Sequence, residues 1–385
     1  MYKRILKCPP GGDVSFFLFG PRGTGKTTWL KDHFCKDDSV YLDLLDDGLY
    51  TELSSRPKRL ETLARPSSSG WVVLDEIQRV PALLNEVHRM IESAGFRFAM
   101  TGSSARSLRK KGVNLLAGRA QTYHMHPLTA FELQSDFSLK HALRFGHLPS
   151  VFAREKPADY LKSYVRTYLR EEVLQEGLAR SLANFTRFLE TASFSQGSPV
   201  NIAEIARESA LNRKVVDSYF NILEDLLIGC FVPVFAKRAR RKLVIHPKFY
   251  FFDAGVYRSI RPMGPLDSPE EAEGLSLETL CFQELKAVNE SLSLEYDLYY
   301  WRTSNGVEVD FILYGPRGIL AFEVKRSARY TKKDLAGLRA FSKDYPSAKC
   351  FLLYGGDFKR EEYGISILPL EKALPGLPAI LSNTF

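Results

Sequence analysis

Cysteine is scarce in this chain of 385 residues, and long apolar runs are missing altogether. The five cysteines (Cys8, Cys35, Cys230, Cys281 and Cys350) are scattered, odd in number and free of C-x-x-C pairs. That argues against a zinc or disulfide framework and predicts a reducing, cytoplasmic setting. The longest apolar runs, such as Phe16 to Phe19 and Trp71 to Leu74, are too short to span a bilayer. The opening "MYKRILKCPPGG" has neither the apolar segment nor the cleavage site of a signal peptide, so none is expected. A composition of 45% hydrophobic and 25% charged residues excludes a disordered chain, and the length allows two or three cores. Acids are absent from "AKRARRKLVIHPK", 236–248, which holds Lys237, Arg238, Arg240, Arg241, Lys242 and Lys248. With a net charge of +8 this stretch is a candidate nucleic-acid contact; a solvated basic loop is the plain alternative.

What is present begins with "VSFFLFGPRGTGKTTWLKDHF". An apolar strand runs into Gly20-Pro21-Arg22-Gly23-Thr24-Gly25-Lys26-Thr27-Thr28 and then into a helical segment, the context a phosphate-binding loop requires. Gly20, Gly23 and Gly25 let the backbone curl so that its N–H groups face phosphate near a helix N-terminus. Lys26 is placed for the β- and γ-phosphates of ATP, and Thr27 for Mg²⁺. Downstream, "WVVLDEIQRVP" reads as a buried strand that delivers Asp75 and Glu76 at its carboxyl end. Asp75 suits the Mg²⁺ shell and Glu76 the base that orients or deprotonates the attacking water. A third strand, "FRFAMTGSSARSL", ends in hydroxyls, among them Ser103, where a γ-phosphate or water contact is expected. The alternative is a Ser-rich turn that caps the next helix. Arg119, and less so Arg106, is a candidate γ-phosphate sensor or finger, in cis or from a second copy in a homo-oligomer. For each, a surface arginine is the alternative.

Taken in order, "GPRGTGKTT", "LDEIQRVP", "TGSSARSL" and "LAGR…HPLTAFEL" resemble the AAA-type P-loop ATPases. More narrowly, the chain resembles a large prokaryotic family in which this core precedes a C-terminal domain of unknown function (DUF family 4143). The resemblance implies an ATP-binding α/β core and names no biological process.

The middle of the chain reads as helical. "ADYLKSYVRTYLREEVLQEG" spaces Leu161, Tyr164, Val165, Tyr168 and Leu169 by three and four, with Arg166 and Arg170 on one face. Three short helical stretches follow from Asn184, then a β-like "GCFVPVFAKRARRKLVIHPKFYFFD", the order of a winged helix-turn-helix. Asn212 is a natural N-cap for the third stretch, and Arg213 and Lys214 stand where a recognition helix touches DNA. A helical adaptor whose basic loop packs on protein is the competing reading.

Near the C-terminus, "GVEVDFILYGPRGILAFEVKRS" is a predicted hairpin with three residues that strands disfavour, Asp310, Glu323 and Lys325. Strict alternation places Glu308, Asp310 and Ile312 on one face, opposite Val307, Val309, Phe311 and Leu313. In the second strand Ala321, Glu323 and Lys325 share a face, so paired strands present two carboxylates and a lysine together. Two carboxylates suit Mg²⁺, and a lysine beside them suits developing negative charge. With Glu278 on the helix upstream, the arrangement resembles the PD-(D/E)xK nuclease superfamily. That resemblance implies a metal and catalytic set of Glu278, Asp310, Glu323 and Lys325.

The expected architecture is therefore α/β: an ATPase core over 1–133 on a parallel sheet, a helical lid or arm over 134–180, a winged-helix-like region over 181–260, and a nuclease-like α/β domain over 261–385. The expected function is an ATPase that acts on DNA, with Mg²⁺-dependent cutting at the second site. Its alternative is an ATP switch whose C-terminal domain binds DNA or protein without cutting. A metabolic kinase fits less well, since no second substrate motif is evident.

Overall fold

The computed structural model describes residues 2–382 apart from 8–13, 36–37, 65–69, 104–107, 109–115, 170–172, 174–180, 238–242, 244 and 265–267. It divides into two compact units: Leu6–His126 with Asp225–Leu227, and Met1–Ile5 with Pro127–Glu224 and Ile228–Phe385.

The first unit is built on a five-stranded parallel sheet of β1 (Ser15–Phe19), β2 (Val40–Asp43), β3 (Trp71–Asp75), β4 (Arg97–Gly102) and β5 (Ala120–His124). Phe16, Phe17, Leu18 and Phe19 are all buried, as are Val72, Val73 and Leu74. Continuous burial of this kind marks strands covered on both faces, which parallel sheets require. The spatial order is β2-β3-β4-β1-β5, so β4 lies between the strand feeding the glycine loop and the strand ending in the acids. The loop from β1 opens α1 (Lys26–Phe34), while α2 (Leu83–Ala94) covers the sheet with Leu83, Leu84, Val87 and Met90.

In the second unit, α3 (Leu182–Phe194), α4 (Ile202–Glu208) and α5 (Arg213–Asp225) precede an antiparallel pair, β6 (Gly229–Val232) and β7 (Lys248–Phe251). Asn212 Oδ1 accepts the Lys214 N–H at 2.9 Å at the head of α5, and Arg213 and Lys214 are exposed there. This unit also holds a mixed sheet in the order β12-β13-β11-β10-β9-β8. Its strands are β8 (Asp297–Arg302), β9 (Glu308–Gly315), β10 (Gly318–Lys325), β11 (Lys349–Tyr354), β12 (Arg360–Glu362) and β13 (Ile365–Pro369). One core packs α6 (Pro269–Ser291), through Leu277, Leu280 and Leu285, with Phe311, Phe322 and Val324. The opposite core joins α7 (Ala336–Asp344), through Leu338 and Phe341, with Trp301, Ile312 and Ala321.

Two expectations need correction. Val309 was expected beside Phe311 and Leu313 but lies with Ile312 in the α7 core. The cause is a one-residue bulge: Tyr299 pairs with Ile312 while Trp301 pairs with Val309, so Asp310 and Phe311 together oppose Tyr300. A bulge inverts the alternation on one side of itself and re-aims the side chain at its centre. The second correction concerns the basic stretch 236–248. Arg238, Arg240, Arg241 and Lys242 lie outside the described residues. The flanks pack on protein: Phe235 donates its N–H to Tyr300 O at 2.7 Å, and Tyr345 Oη donates to Lys237 O at 3.0 Å. Lys237 lies 4.1 Å from the centre of the Tyr314 ring, and Lys248 is buried. Lys248 is therefore no phosphate contact; a lysine in a strand this buried is held by acids instead.

Candidate functional site

At the glycine loop, Gly23 and Gly25 take φ of 84° and 93°, in the left-handed region that a side chain disfavours. A Cβ at Gly20 would stand 2.3 Å from Met125 O, so only glycine fits beside the residue that follows β5. Thr24 closes the turn on itself, donating Oγ1–H to Pro21 O at 2.8 Å. The Lys26 ammonium is buried and donates to Gly20 O at 2.7 Å and Pro21 O at 3.2 Å. Arg22 and Thr28 are exposed.

Asp75, also buried, is the hub of this site. Its Oδ2 accepts the hydroxyls of Thr27 at 2.8 Å and Tyr41 at 2.7 Å, and its Oδ1 accepts Thr101. Thr101 in turn accepts the Glu76 N–H at 2.9 Å. Because β4 sits between β1 and β3, a β4 hydroxyl can hold the acid pair in place. Burial, then the Asp75 carboxylate, push the Tyr41 phenol far up, so it stays a donor. Glu76 adopts φ 60°, uncommon for a residue with a side chain, directly after Asp75. Gln78 Nε2 donates to the Glu76 carboxylate and reaches Ser103 Oγ at 3.4 Å. Arg119 is elsewhere engaged: its guanidinium binds Glu92 of α2, with Nε to Oε1 at 2.7 Å. Arg106 lies outside the described residues. Tyr41 and Gln78 were not anticipated. Gln78 had a signal, a polar side chain two residues after Glu76 at a strand end; Tyr41 had none.

The second cluster centres on the bulge in β9. Continuing the β9–β10 register past Phe311 opposite Phe322 brings Asp310 opposite Glu323. Asp310 Oδ2 accepts the Val324 N–H at 2.8 Å, where backbone pairing between the strands ends. Glu323 Oε1 pairs with Lys325 Nζ at 3.1 Å, while Glu323 Oε2 is buried with no hydrogen-bond partner among the described residues. Glu278 Oε2 accepts the Tyr250 hydroxyl at 3.1 Å. Lys248 Nζ is paired with Glu308, which also binds Arg302 at 3.2 Å.

The Asp310 charge acts on both glutamates, Glu278 and Glu323. Burial first, then the Asp310 charge, push the Glu278 carboxyl up to about 7. Burial and Asp310 likewise hold the Glu323 carboxyl well above its ordinary range, against the pull of Lys325. Burial raises Asp310 against Lys248 and Lys325. Burial alone would lower the Lys248 ammonium, but Glu278, Glu308 and Asp310 outweigh it and raise it. Asp310 is thus the leading charge on both Glu278 and Glu323. Among the described residues no three of His, Cys, Asp and Glu converge as metal ligands, so the expected trio of Glu278, Asp310 and Glu323 is not assembled as one set. The donors that do fit a hard cation are the pair Asp310 and Glu323, with one Glu323 oxygen unpartnered. Tyr250 escaped the sequence reading, which took Lys248 only as part of the basic run and Glu308 only as a neighbour of Asp310 on the strand face; the strand Lys-Phe-Tyr-Phe is buried throughout.

Comparison with known proteins divides the chain in three. Residues 14–134 match the model of an AAA domain, and 136–267 and 273–373 match two domains of unknown function, DUF8612 and DUF4143. An uncharacterized protein of Mycobacterium tuberculosis is 27% identical over 372 residues, covering 94% of this chain and 79% of that one. One of Methanocaldococcus jannaschii is 24% identical over 329 residues, covering 77% and 71%. Among solved structures, the Aeropyrum pernix ORC1 protein in complex with DNA aligns at a TM-score of 0.28 and 14% identity, over 66% of this chain and 87% of that one. So low a score bears on neither fold nor function. No helix among the described residues is long and apolar enough to cross a membrane.

Lys248→Ala leaves the acids uncompensated and is expected to cost about 3–5 kcal/mol in denaturant unfolding. Lys248→Ala combined with Glu278→Gln is expected to recover part of it; a single variant as stable as the parent contradicts the assignment. The raised Glu278 carboxyl has a pH signature. The folded state holds this proton more tightly than the unfolded, whose ordinary value is 4.5, so stability falls as pH rises from there to about 7. With chelator present, Glu278→Gln gains on the parent across that window, by up to about 3 kcal/mol. Melting curves with a pH-independent difference contradict it.

Proposed function

The chain carries an AAA-type P-loop ATPase domain followed by a DUF4143 domain, and from that premise we propose that it is an ATP-driven protein acting on nucleic acid, with a metal-dependent phosphodiesterase centre in the second domain. In the ATPase domain the loop amides and Lys26 take the phosphates of ATP. Thr27 and Asp75 hold Mg²⁺, which neutralises phosphate charge when bound. Glu76 orients the attacking water and receives its proton, and Gln78 fixes the Glu76 carboxylate and links it to Ser103. The Thr101 bridge keeps Asp75 and Glu76 in fixed relation.

The observation that carries the second half is the buried, unpartnered oxygen of Glu323 across the strand pair from Asp310. A buried carboxylate oxygen without a donor is costly, and a divalent cation removes the cost. Asp310 and Glu323 would hold that cation, which supplies charge neutralisation at a scissile phosphate. Lys325, on the edge of the cluster, contributes a donor for the developing charge. Phosphate contacts come from the exposed run after β10, where Arg329, Lys332 and Lys333 follow Lys325 and Arg326. Asp334, the nearest acid in sequence, is engaged by Thr331, accepting its N–H at 2.7 Å and its hydroxyl at 2.9 Å. Arg213 and Lys214 at the head of α5 are the other exposed pair. A second reading keeps ATP turnover and binding without cutting. It is favoured by Lys248, a resident cation already matched to Glu308, Glu278 and Asp310.

Lys26→Ala is expected to abolish ATP binding, and Glu76→Gln to retain binding while lowering turnover by about a hundredfold or more. Isothermal titration and phosphate release measure the two; Lys26→Ala with parental turnover refutes the ATPase site. Incubated with single- or double-stranded DNA and Mg²⁺ or Mn²⁺, the parent is expected to give products that Asp310→Ala and Lys325→Ala do not. In chelator, Arg329→Ala/Lys332→Ala/Lys333→Ala should flatten the dependence of log affinity on log salt by about 2 to 3. Salt-dependent binding with no cleavage by the parent selects the second reading; salt-independent binding removes nucleic acid from both.

A further inference from the structure

The turn between β11 and β12 presents a side chain that the foregoing does not use. Phe358 is 68% exposed. An exposed ring alone carries little meaning, but this one is held in place from below. The Tyr354 phenol donates to Phe358 O at 2.8 Å and accepts the Phe358 N–H at 3.2 Å, and Tyr354 is itself buried. One side chain thus satisfies both backbone groups of Phe358 and fixes the turn that carries it. Tyr354 is packed edge-on against Tyr330, ring centres 5.4 Å apart, whose hydroxyl donates to Glu362 at 2.6 Å. The turn stands beside the second site. Tyr354 is the register partner of Lys325, and β10 and β11 are parallel, so both strands leave the sheet at the same edge. Gly355 donates its N–H to Ser327 O at 3.1 Å, and a Cβ there would meet Arg326 O at 2.0 Å. The two turns therefore touch backbone to backbone.

Their charges differ. Residues 325–333 hold five basic residues and no acid. Lys325 is paired with Glu323 and Arg326 with Glu273, so phosphate contact falls to Arg329, Lys332 and Lys333, all exposed. The Phe358 turn is mixed, with Asp357 and Glu361 flanking Lys359 and Arg360. Having no net positive charge, it can serve a polyanion only by stacking. A protein partner needs an apolar surround for its anchor, whereas exposed charges stand on both sides of this ring. A single strand of nucleic acid carries flat π-faces on its bases and charge along its backbone, which matches a lone ring beside a basic run. A base inside a duplex is stacked on both faces, so only an unpaired or terminal one is open to the ring.

We propose that Phe358 stacks on an unpaired base and makes single-stranded nucleic acid the substrate class of the second site. The phosphates meet Arg329, Lys332 and Lys333, and a base rests on Phe358, one turn away from Lys325. The inference rests on the nucleic-acid reading of this domain and adds the state of the strand to it.

The full chain, in chelator, is titrated with a single-stranded oligonucleotide carrying 2-aminopurine, with its duplex, and with an abasic strand of equal length. The single strand is expected to bind at least about tenfold tighter than the other two, with quenching of the base fluorescence on stacking. Phe358→Ala is expected to weaken single-strand binding by about tenfold and to remove the quenching, while Phe358→Trp retains both. Abasic-strand and duplex binding, and the slope of log affinity on log salt, are expected to be unchanged in Phe358→Ala. Because Phe358 is exposed, its loss leaves the core intact. Parental affinity for the single strand in Phe358→Ala, or an equal loss on the abasic strand, overturns the inference while the nucleic-acid reading stands. A parent that binds none of the three overturns both. A parent dimer that Phe358→Ala dissolves, seen by sedimentation, also overturns the inference, in favour of a second copy of this chain on the ring.

Discussion

The pairing of Lys248 with Glu308 is the interaction on which the second unit turns. The Asp310 charge raises the Glu278 carboxyl; Asp310 is buried and Glu278 half-buried. Several buried acids without a cation would give up their charge or open the fold. Lys248 supplies the cation from β7, a strand that belongs to the helix-and-hairpin region and not to the mixed sheet. The ion pair therefore ties the two parts of this unit together and sets the state of the site. Tyr250, two residues along the same strand, completes the tie through Glu278. The bulge at Asp310 follows the same logic, since it frees this carboxylate from strict alternation at the point where three charged elements meet.

A comparable economy operates around Asp75, though by hydrogen bonds. Three hydroxyls, from Thr27, Tyr41 and Thr101, satisfy one buried carboxylate. Each comes from a different element: α1, β2 and β4. The strand order makes this possible, because β4 stands between the glycine-loop strand and the acid strand. Glu76, in the left-handed region, projects apart from Asp75 and is steadied by Gln78. Asp75 is thereby held as a fixed acceptor while its neighbour is placed for a different task.

Much of this was legible beforehand because it is local. The glycine loop is read from spacing, since only glycine reaches the backbone angles at residues 23 and 25. Asp75 and Glu76 are read from the apolar strand before them, and the helix of Glu278 and the hairpin of Asp310, Glu323 and Lys325 from periodicity. The reading failed at three kinds of place. Alternation broke at the bulge, which costs no residue in the sequence pattern and leaves no mark there. The run 236–248 was read by its charge, and Lys248 belongs to that run in sequence but to a buried strand in space. Arg119 was a candidate for nucleotide contact by position in the chain, while the acid it pairs with, Glu92, lies 27 residues away.

The order of residues fixed the chemistry available: a phosphate loop with its acid pair, and a hairpin bearing two carboxylates and a lysine. Those signals survive in one dimension because backbone angles and strand or helix periods act over a few residues. Which acids share a cation, which face Asp310 takes, and whether a basic residue meets solvent or a carboxylate were decided by tertiary contacts. Those contacts join residues well apart in the chain, 28 for Tyr250 and Glu278 and 60 for Lys248 and Glu308, and the strength of each depends on burial, which no short stretch of sequence contains.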